Sequence, residues 1–215
     1  MREHLLVLFI AAALTYLLTP LAEKAALRFG AIAYVRNRDV HTTPTPRWGG
    51  LAIWCAIATS IGIANQLPLL NKAFAQTGQI TGIVLASGIV LLLGVADDRW
   101  GLDAITKLAG QAIAAGVLLL NGVQLLWLPI NGITTLPSSL GQLLTILVIL
   151  VSINAVNFVD GLDGLAGSIS LVTFMFLGWW FLEADLTSYS VFAFILVGSV
   201  LSFLVYNWHP AKIFM

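Results

Sequence analysis

Two aspartates stand side by side at Asp97-Asp98, and Lys107 follows Asp97 by ten residues. Further along, Asn154, Asn157, Asp160 and Asp163 recur at intervals of three, within a string that ends Asp160-Gly161-Leu162-Asp163-Gly164. Adjacent carboxylates repel unless a cation lies between them or one takes a proton. Neighbours on a helix point about 100° apart, so one aspartate can hold a metal while the other accepts a proton or anchors a donor. Hard carboxylate oxygens suit Mg²⁺ or Mn²⁺, and no His/Cys grouping suggests zinc. In the glycine-rich bend Asp160 and Asp163 can converge on one cation or phosphate, with the two asparagines one turn earlier orienting them or a ligand. An EF-hand is excluded, since its spaced oxygen ligands and terminal Glu are missing. The amine of Lys107, at the start of a helix, can return to the Asp97 site. The plainer alternatives are a solvated helix end paired with Arg99 and a buried glycine packing motif.

Two other strings are rich in polar groups. Arg36, Arg38, His41, Thr42, Thr43, Thr45 and Arg47, stiffened by Pro44 and Pro46, form a candidate phosphate-binding apron. The same cations would also serve as an anchor on anionic lipid. Asn207-Trp208-His209-Pro210-Ala211-Lys212 is the last string. His41 and His209 are lone histidines, for which packing or solvation is the expected state.

The elements that position these groups are set by composition. Of 215 residues, 59% are hydrophobic and 9% charged, with a mean hydropathy of +0.96. An ordinary soluble domain carries about 25% charged residues, so a water-soluble globule is excluded, and so is a disordered chain. Ten basic and ten acidic side chains cancel, leaving no field to recruit nucleic acid. The lone Cys55 says nothing about redox compartment. Crossing about 30 Å of hydrocarbon takes roughly 20 apolar residues. The hydropathy pattern predicts an all-α, polytopic membrane helix bundle of about seven spans: Leu5–Leu21, Leu51–Leu67, Ile80–Ala96, Ala104–Leu120, Leu140–Val156, Leu165–Leu182 and Tyr189–Tyr206. Glu23, Lys24 and Arg28 extend the first helix out of the membrane. No small-residue cleavage site follows it, so it reads as a retained helix. The uncharged stretch Asn121–Gly132 is too short to span and reads as a hairpin or interfacial loop, with Pro137-Ser138-Ser139 capping the next helix. No repeat or linker divides the chain, so residues 1–215 read as one transmembrane domain.

With seven spans, Lys24, Arg28, Arg36, Arg38, Arg47, Arg99, Lys107 and Lys212 fall on one side, and only Arg2 and Lys72 on the other. By the positive-inside rule the rich side is cytoplasmic and the N-terminus outside. All four polar strings, with six of the seven aspartates, share that cytoplasmic side. Carboxylates at bilayer depth are expensive, which makes such a concentration a functional signal.

Pro44-Thr45-Pro46-Arg47-Trp48-Gly49-Gly50, the Asp97-Asp98 pair ahead of Lys107, Asn154–Gly164 and Asn207–Met215 resemble, in order, the polyprenyl-phosphate N-acetylhexosamine-1-phosphate transferases. The Pro-Thr-Pro-Arg-x-Gly-Gly form is more similar to the GlcNAc-1-phosphate branch than to the muramoyl-pentapeptide branch. The resemblance implies a plasma-membrane enzyme that moves a sugar-1-phosphate from a UDP-sugar to a polyprenyl phosphate, releasing UMP and supplying lipid-linked precursors of cell-envelope glycans. It implies Mg²⁺ at a cytoplasmic cleft, and it admits a homodimer. Asp97 and Asp98 would serve metal and lipid-phosphate activation, Asp160 and Asp163 would complete the acidic site, Asn157 and Lys107 would position the diphosphate, and Asn207 would help hold the nucleotide. Family members continue past the last residues here into Gly-Asp-x-Gly-Ser and a histidine-rich sugar-recognition loop. The expectation is therefore a truncated piece, the first two-thirds of such an enzyme.

Direct attack by the lipid phosphate and passage through a phosphoryl-aspartate are both compatible with these residues. A second class, a proton- or cation-coupled transporter, expects carboxylates near mid-membrane and a discontinuous helix. A silent membrane scaffold leaves the four polar loops without a reason.

Overall fold

The computed structural model describes residues 2–33, 44–67, 70, 78–130 and 132–215. Arg36, Arg38, His41, Thr42 and Thr43 of the expected phosphate apron lie outside the described residues, as does Lys72. Among the described residues the elements run α1 (Arg2–Phe29), β1 (Ile32–Ala33), β2 (Thr45–Pro46), α2 (Gly49–Gln66), α3 (Gly78–Trp100), α4 (Ala104–Leu120), β3 (Trp127–Leu128), β4 (Thr134–Thr135), α5 (Ser138–Val159), α6 (Leu165–Glu183) and α7 (Thr187–Asn207). Helices α1, α3, α5, α6 and α7 are long and apolar enough to cross a membrane, and the chain is an all-α, polytopic integral membrane protein. Helices α2 and α4, of 18 and 17 residues, occupy the two remaining apolar stretches. Because α5 starts at Ser138, Ser138 and Ser139 form its first turn instead of capping it from outside. The carbonyl of Pro137 receives the Gly141 N–H.

The described residues divide into two compact units, Met1–Thr77 with Val159–Met215, and Gly78–Phe158. In the first unit α7 is the central helix, packed against α1, α2 and α6. Lipid tails are as apolar as leucine, so helices in a membrane associate through close packing, which small residues permit. Ser190, Ala193, Gly198, Ser199 and Ser202 are all buried along α7. A Cβ at Gly198 would collide with the backbone carbonyl of Leu8 on α1. Val7, Ala11, Val191 and Ile195 fill one end of this interface, and Ala22, Ala52, Phe203 and Ile213 the other. His4 joins the same two helices through Ser190, Nε2 to Oγ at 2.8 Å. The Ser190 hydroxyl donates to the Thr187 carbonyl, so it accepts from the ring and Nε2 carries the proton.

In the second unit α3 packs against α4, with Leu93 seated on Gly110. Strands β3 and β4 form an antiparallel hairpin in the register Trp127↔Thr135 and Leu128↔Thr134, the first of the two alternatives for Asn121–Gly132, with its second strand lying beyond Gly132. The turn from α3 to α4 is closed by Asp103, whose Oδ1 accepts the Thr106 N–H at 2.9 Å and whose Oδ2 accepts the Thr106 hydroxyl at 2.7 Å. The Thr106 N–H first, then its hydroxyl, hold the Asp103 carboxyl below the usual range. A depressed folded pKa means that the cap stabilises fully above the unfolded value of about 3.9 and loses its effect as pH falls through the folded one. Asp103→Ala is therefore expected to lower the thermal midpoint in detergent by a constant amount from neutral pH down to about 5, with the difference from wild type shrinking below about 4.

Candidate functional site

The second unit holds Asp97, Asp98, Lys107, Asn154 and Asn157. Asp97 and Asp98 lie in the last turn of α3, where the helix leaves its apolar stretch. The chain then reverses through Gly101–Asp103 into α4, and this reversal brings Lys107 back. Its Nζ is 2.8 Å from Asp97 Oδ2, as the ten-residue spacing predicted. The other Asp97 oxygen accepts the Leu102 N–H at 2.9 Å. One carboxylate thus ties the helix end, the turn and the lysine together, with both side chains of the ion pair still partly solvent-exposed. Asp98 is half-buried beside it. On α5, Asn157 is exposed, while the Asn154 amide donates at 2.8 Å to Gln111 Oε1 on α4 and to its own helix at the Leu150 carbonyl. Asn154 therefore braces α5 against α4. The sequence reading missed Gln111, a buried amide on an apolar helix, and burial of a lone polar group is the signal that points to it.

The first unit gathers three strings that are far apart in sequence. After α5 ends, the chain bends through Asp160–Gly164 and restarts as α6, with Gly164 in the left-handed region at φ +69°. The Asn207 side chain is 1% exposed. Its Oδ1 accepts the Gly164 N–H at 3.1 Å, and its Nδ2 donates to the Ile213 carbonyl at 2.9 Å. Asp163 Oδ2 accepts the Ala211 N–H at 3.1 Å and meets His209 Nδ1 at 2.9 Å. An ionised carboxylate only accepts, so Nδ1 of His209 is the protonated nitrogen of that contact. The tail then reaches the first connector, where the Phe214 N–H donates to Pro46 and the Gly49 N–H donates to Phe214. Arg47, half-buried, is held by its own N–H on the Ala31 carbonyl, next to the β1–β2 pairing of Ile32↔Pro46 and Ala33↔Thr45.

A cleft of about 390 Å³ opens at this junction, lined by Asp163, Gly164, Ser168, Trp208 and His209 among others. Asp160 is half-buried in the same bend. The amide of Asn207, expected to help hold a nucleotide, fastens the tail to the bend. His209, expected to be packed or solvated, is 75% exposed and still holds Asp163. Asn207→Ala would orphan the Gly164 N–H and the Ile213 carbonyl, at a cost of about 1–3 kcal/mol for each group left buried. We expect the exposed Lys212 bond in the released tail to be cut by trypsin markedly faster than in wild type, as read by mass spectrometry of the fragments.

Among the described residues no three His, Cys, Asp or Glu side chains come together, so these residues form no closed metal cage. The donor set of Asp97 and Asp98 is hard oxygen only. That set suits a hard divalent cation that takes its remaining ligands from outside these two side chains.

Residues 80–215 match glycosyl transferase family 4. Over 227 aligned positions the chain is 43% identical to the decaprenyl-phosphate N-acetylglucosaminephosphotransferase of Mycolicibacterium smegmatis, covering 100% of this chain and 56% of that protein. The protein of the same name from Mycobacterium leprae is 42% identical, with 100% of this chain and 57% of the relative covered. A probable undecaprenyl-phosphate N-acetylglucosaminyl 1-phosphate transferase of Bacillus subtilis is 32% identical across 99% of this chain and 58% of its own length. The chain thus spans a little over half the length of the curated relatives it matches.

Proposed function

The chain belongs to glycosyl transferase family 4, and from that premise we propose that the protein carrying it transfers N-acetylglucosamine-1-phosphate from UDP-GlcNAc to a polyprenyl phosphate, releasing UMP, at the cytoplasmic face of the plasma membrane. The observation that carries this reading is the alignment of the whole chain with relatives named for polyprenyl-phosphate GlcNAc phosphotransfer. The eight-to-two segregation of basic residues supports the orientation. The product would be a lipid-linked precursor of a cell-envelope glycan.

The chemistry needs one phosphate oxygen of the lipid to attack the β-phosphorus of the UDP-sugar. The bond from that phosphorus to the oxygen bridging to the α-phosphate breaks, and UMP leaves with the electron pair. Both reactants are anions, so positive charge has to offset their repulsion and the charge that builds on UMP. Lys107 supplies such a charge, aimed by Asp97, and Arg47 is a second candidate. The lipid phosphomonoester loses its last proton near pH 6. Asp98, next to the Asp97–Lys107 pair, is the candidate acceptor of that proton, and Asp160 is assigned as a further carboxylate of the reaction. A divalent cation bound by Asp97 and Asp98, Mg²⁺ or Mn²⁺, would neutralise phosphate charge. Asn157 is assigned to the diphosphate. Asp163, Asn154 and Asn207 are assigned as positioning residues in this scheme, which the bonds that tie them to neighbouring elements support.

The test is UMP-dependent exchange. Membranes holding the protein, its lipid product and labelled UMP should return label to UDP-GlcNAc in a divalent-cation-dependent manner. Label that stays in UMP while labelled UDP-GlcNAc is taken up into vesicles would replace this proposal with transport.

A further inference from the structure

From Leu108 to Val159 the chain carries no charged side chain and no histidine. That stretch includes the whole connector between α4 and α5, at the end of α4 remote from Asp103. A connector of a dozen or more residues that faces bulk water ordinarily carries charge, because connectors run over the solvated surface. This one exposes large apolar groups instead: Leu126 at 66%, Trp127 at 51%, Ile130 at 57% and Ile133 at 77%. The backbone that carries them is fastened down. The Leu136 N–H closes the hairpin on Leu126, the Leu125 N–H donates to the buried Thr145 hydroxyl, and Gln124 donates to the Ser138 carbonyl. Gly141, without a side chain, lets the Leu125 carbonyl lie against the first turns of α5. The base of the hairpin is thus fastened to α5.

We propose that this hairpin inserts the side chains of Ile130 and Ile133 into the hydrocarbon of the leaflet opposite Asp97, with Trp127 at headgroup level. The lipid-facing surface on either side favours a bilayer over a protein partner. Leu120 closes α4 at 88% exposure, and Leu140 and Leu143 open α5 at 43% and 63%, so exposed apolar side chains flank the hairpin on both helices, with the exposed polar residues Thr134, Thr135, Ser138 and Ser139 between Ile133 and Leu140. Tryptophan is the residue enriched where such a surface meets the headgroups. The absence of charge removes the usual means of choosing a polar partner.

Cys55 is the lone cysteine, so a Cys55→Ala background allows single labels. Cysteines placed at Ile130 and Ile133, and at the exposed Ala104 as a water-facing control, would carry an environment-sensitive fluorophore in lipid nanodiscs, which open both faces to solvent. We expect labels at 130 and 133 to be quenched by nitroxide-bearing lipid, with loss of the iodide quenching seen at 104. Iodide quenching equal to that at 104 would overturn the proposal. Protection from both quenchers would also overturn it, assigning these side chains to contact with protein.

Discussion

Asp97→Asn is expected to abolish transfer while leaving the protein folded in the membrane. The carboxylate has two tasks, accepting the Leu102 N–H and holding Lys107. Asparagine can keep the first by presenting its oxygen to Leu102, which turns its NH₂ toward the lysine ammonium. Two donors then face each other, and Lys107 loses the group that aims it. The stability cost is small, because a partly exposed ion pair contributes about 0–1 kcal/mol. The rate cost is large. Removing one preorganised electrostatic contact to a developing charge costs about 10²–10³ in turnover; for Asp98→Asn, the candidate proton acceptor, loss of a general base costs about 10²–10⁴. Transfer measured in membranes, normalised to protein by immunoblot, checks it, with Asp98→Asn run in parallel. Near-normal turnover in both variants would remove the acidic pair from the chemistry.

Gly198→Ala is the substitution expected to damage the fold most. The added Cβ meets the Leu8 carbonyl, which is backbone, so no rotamer change relieves the overlap and α1 and α7 have to part. Overpacking a core ordinarily costs about 1–3 kcal/mol, and a contact that neither helix can yield belongs at or above the top of that range. Gly62→Ala on α2 is the control, since a Cβ there meets nothing within 4 Å and alanine is the better helix former by about 1 kcal/mol. Thermal unfolding in detergent should show a large fall for Gly198→Ala and no fall for Gly62→Ala.

Hydropathy located every helix among the described residues, and α4 has the predicted bounds, Ala104–Leu120. In α1 the apolar run stops at Leu21 and the helix continues to Phe29, the extension expected from Glu23, Lys24 and Arg28. Hydropathy reports the thickness of hydrocarbon, whereas the helix persists through Glu23, Lys24 and Arg28, which favour helix in water. The Asp97–Lys107 pair was readable because a single tight turn sets it. The Asn207 bracket was not, because its partners lie 43 positions before it and 6 after it, and they meet only once α7 has packed into its bundle. The same holds for Asn154 and Gln111, whose pairing depends on the approach of two helices with no periodicity that marks it. The short pairing of Ile32–Ala33 with Thr45–Pro46 left no alternating pattern to read.

The most direct measurement of the proposed chemistry uses UDP-GlcNAc carrying tritium in the sugar and radiophosphorus at the β position, supplied with polyprenyl phosphate to membranes that hold the protein. Transfer of sugar-1-phosphate predicts both labels in the lipid extract at the donor's own ratio, with UMP as the nucleotide released. Tritium in the lipid without radiophosphorus, and UDP in place of UMP, would contradict it.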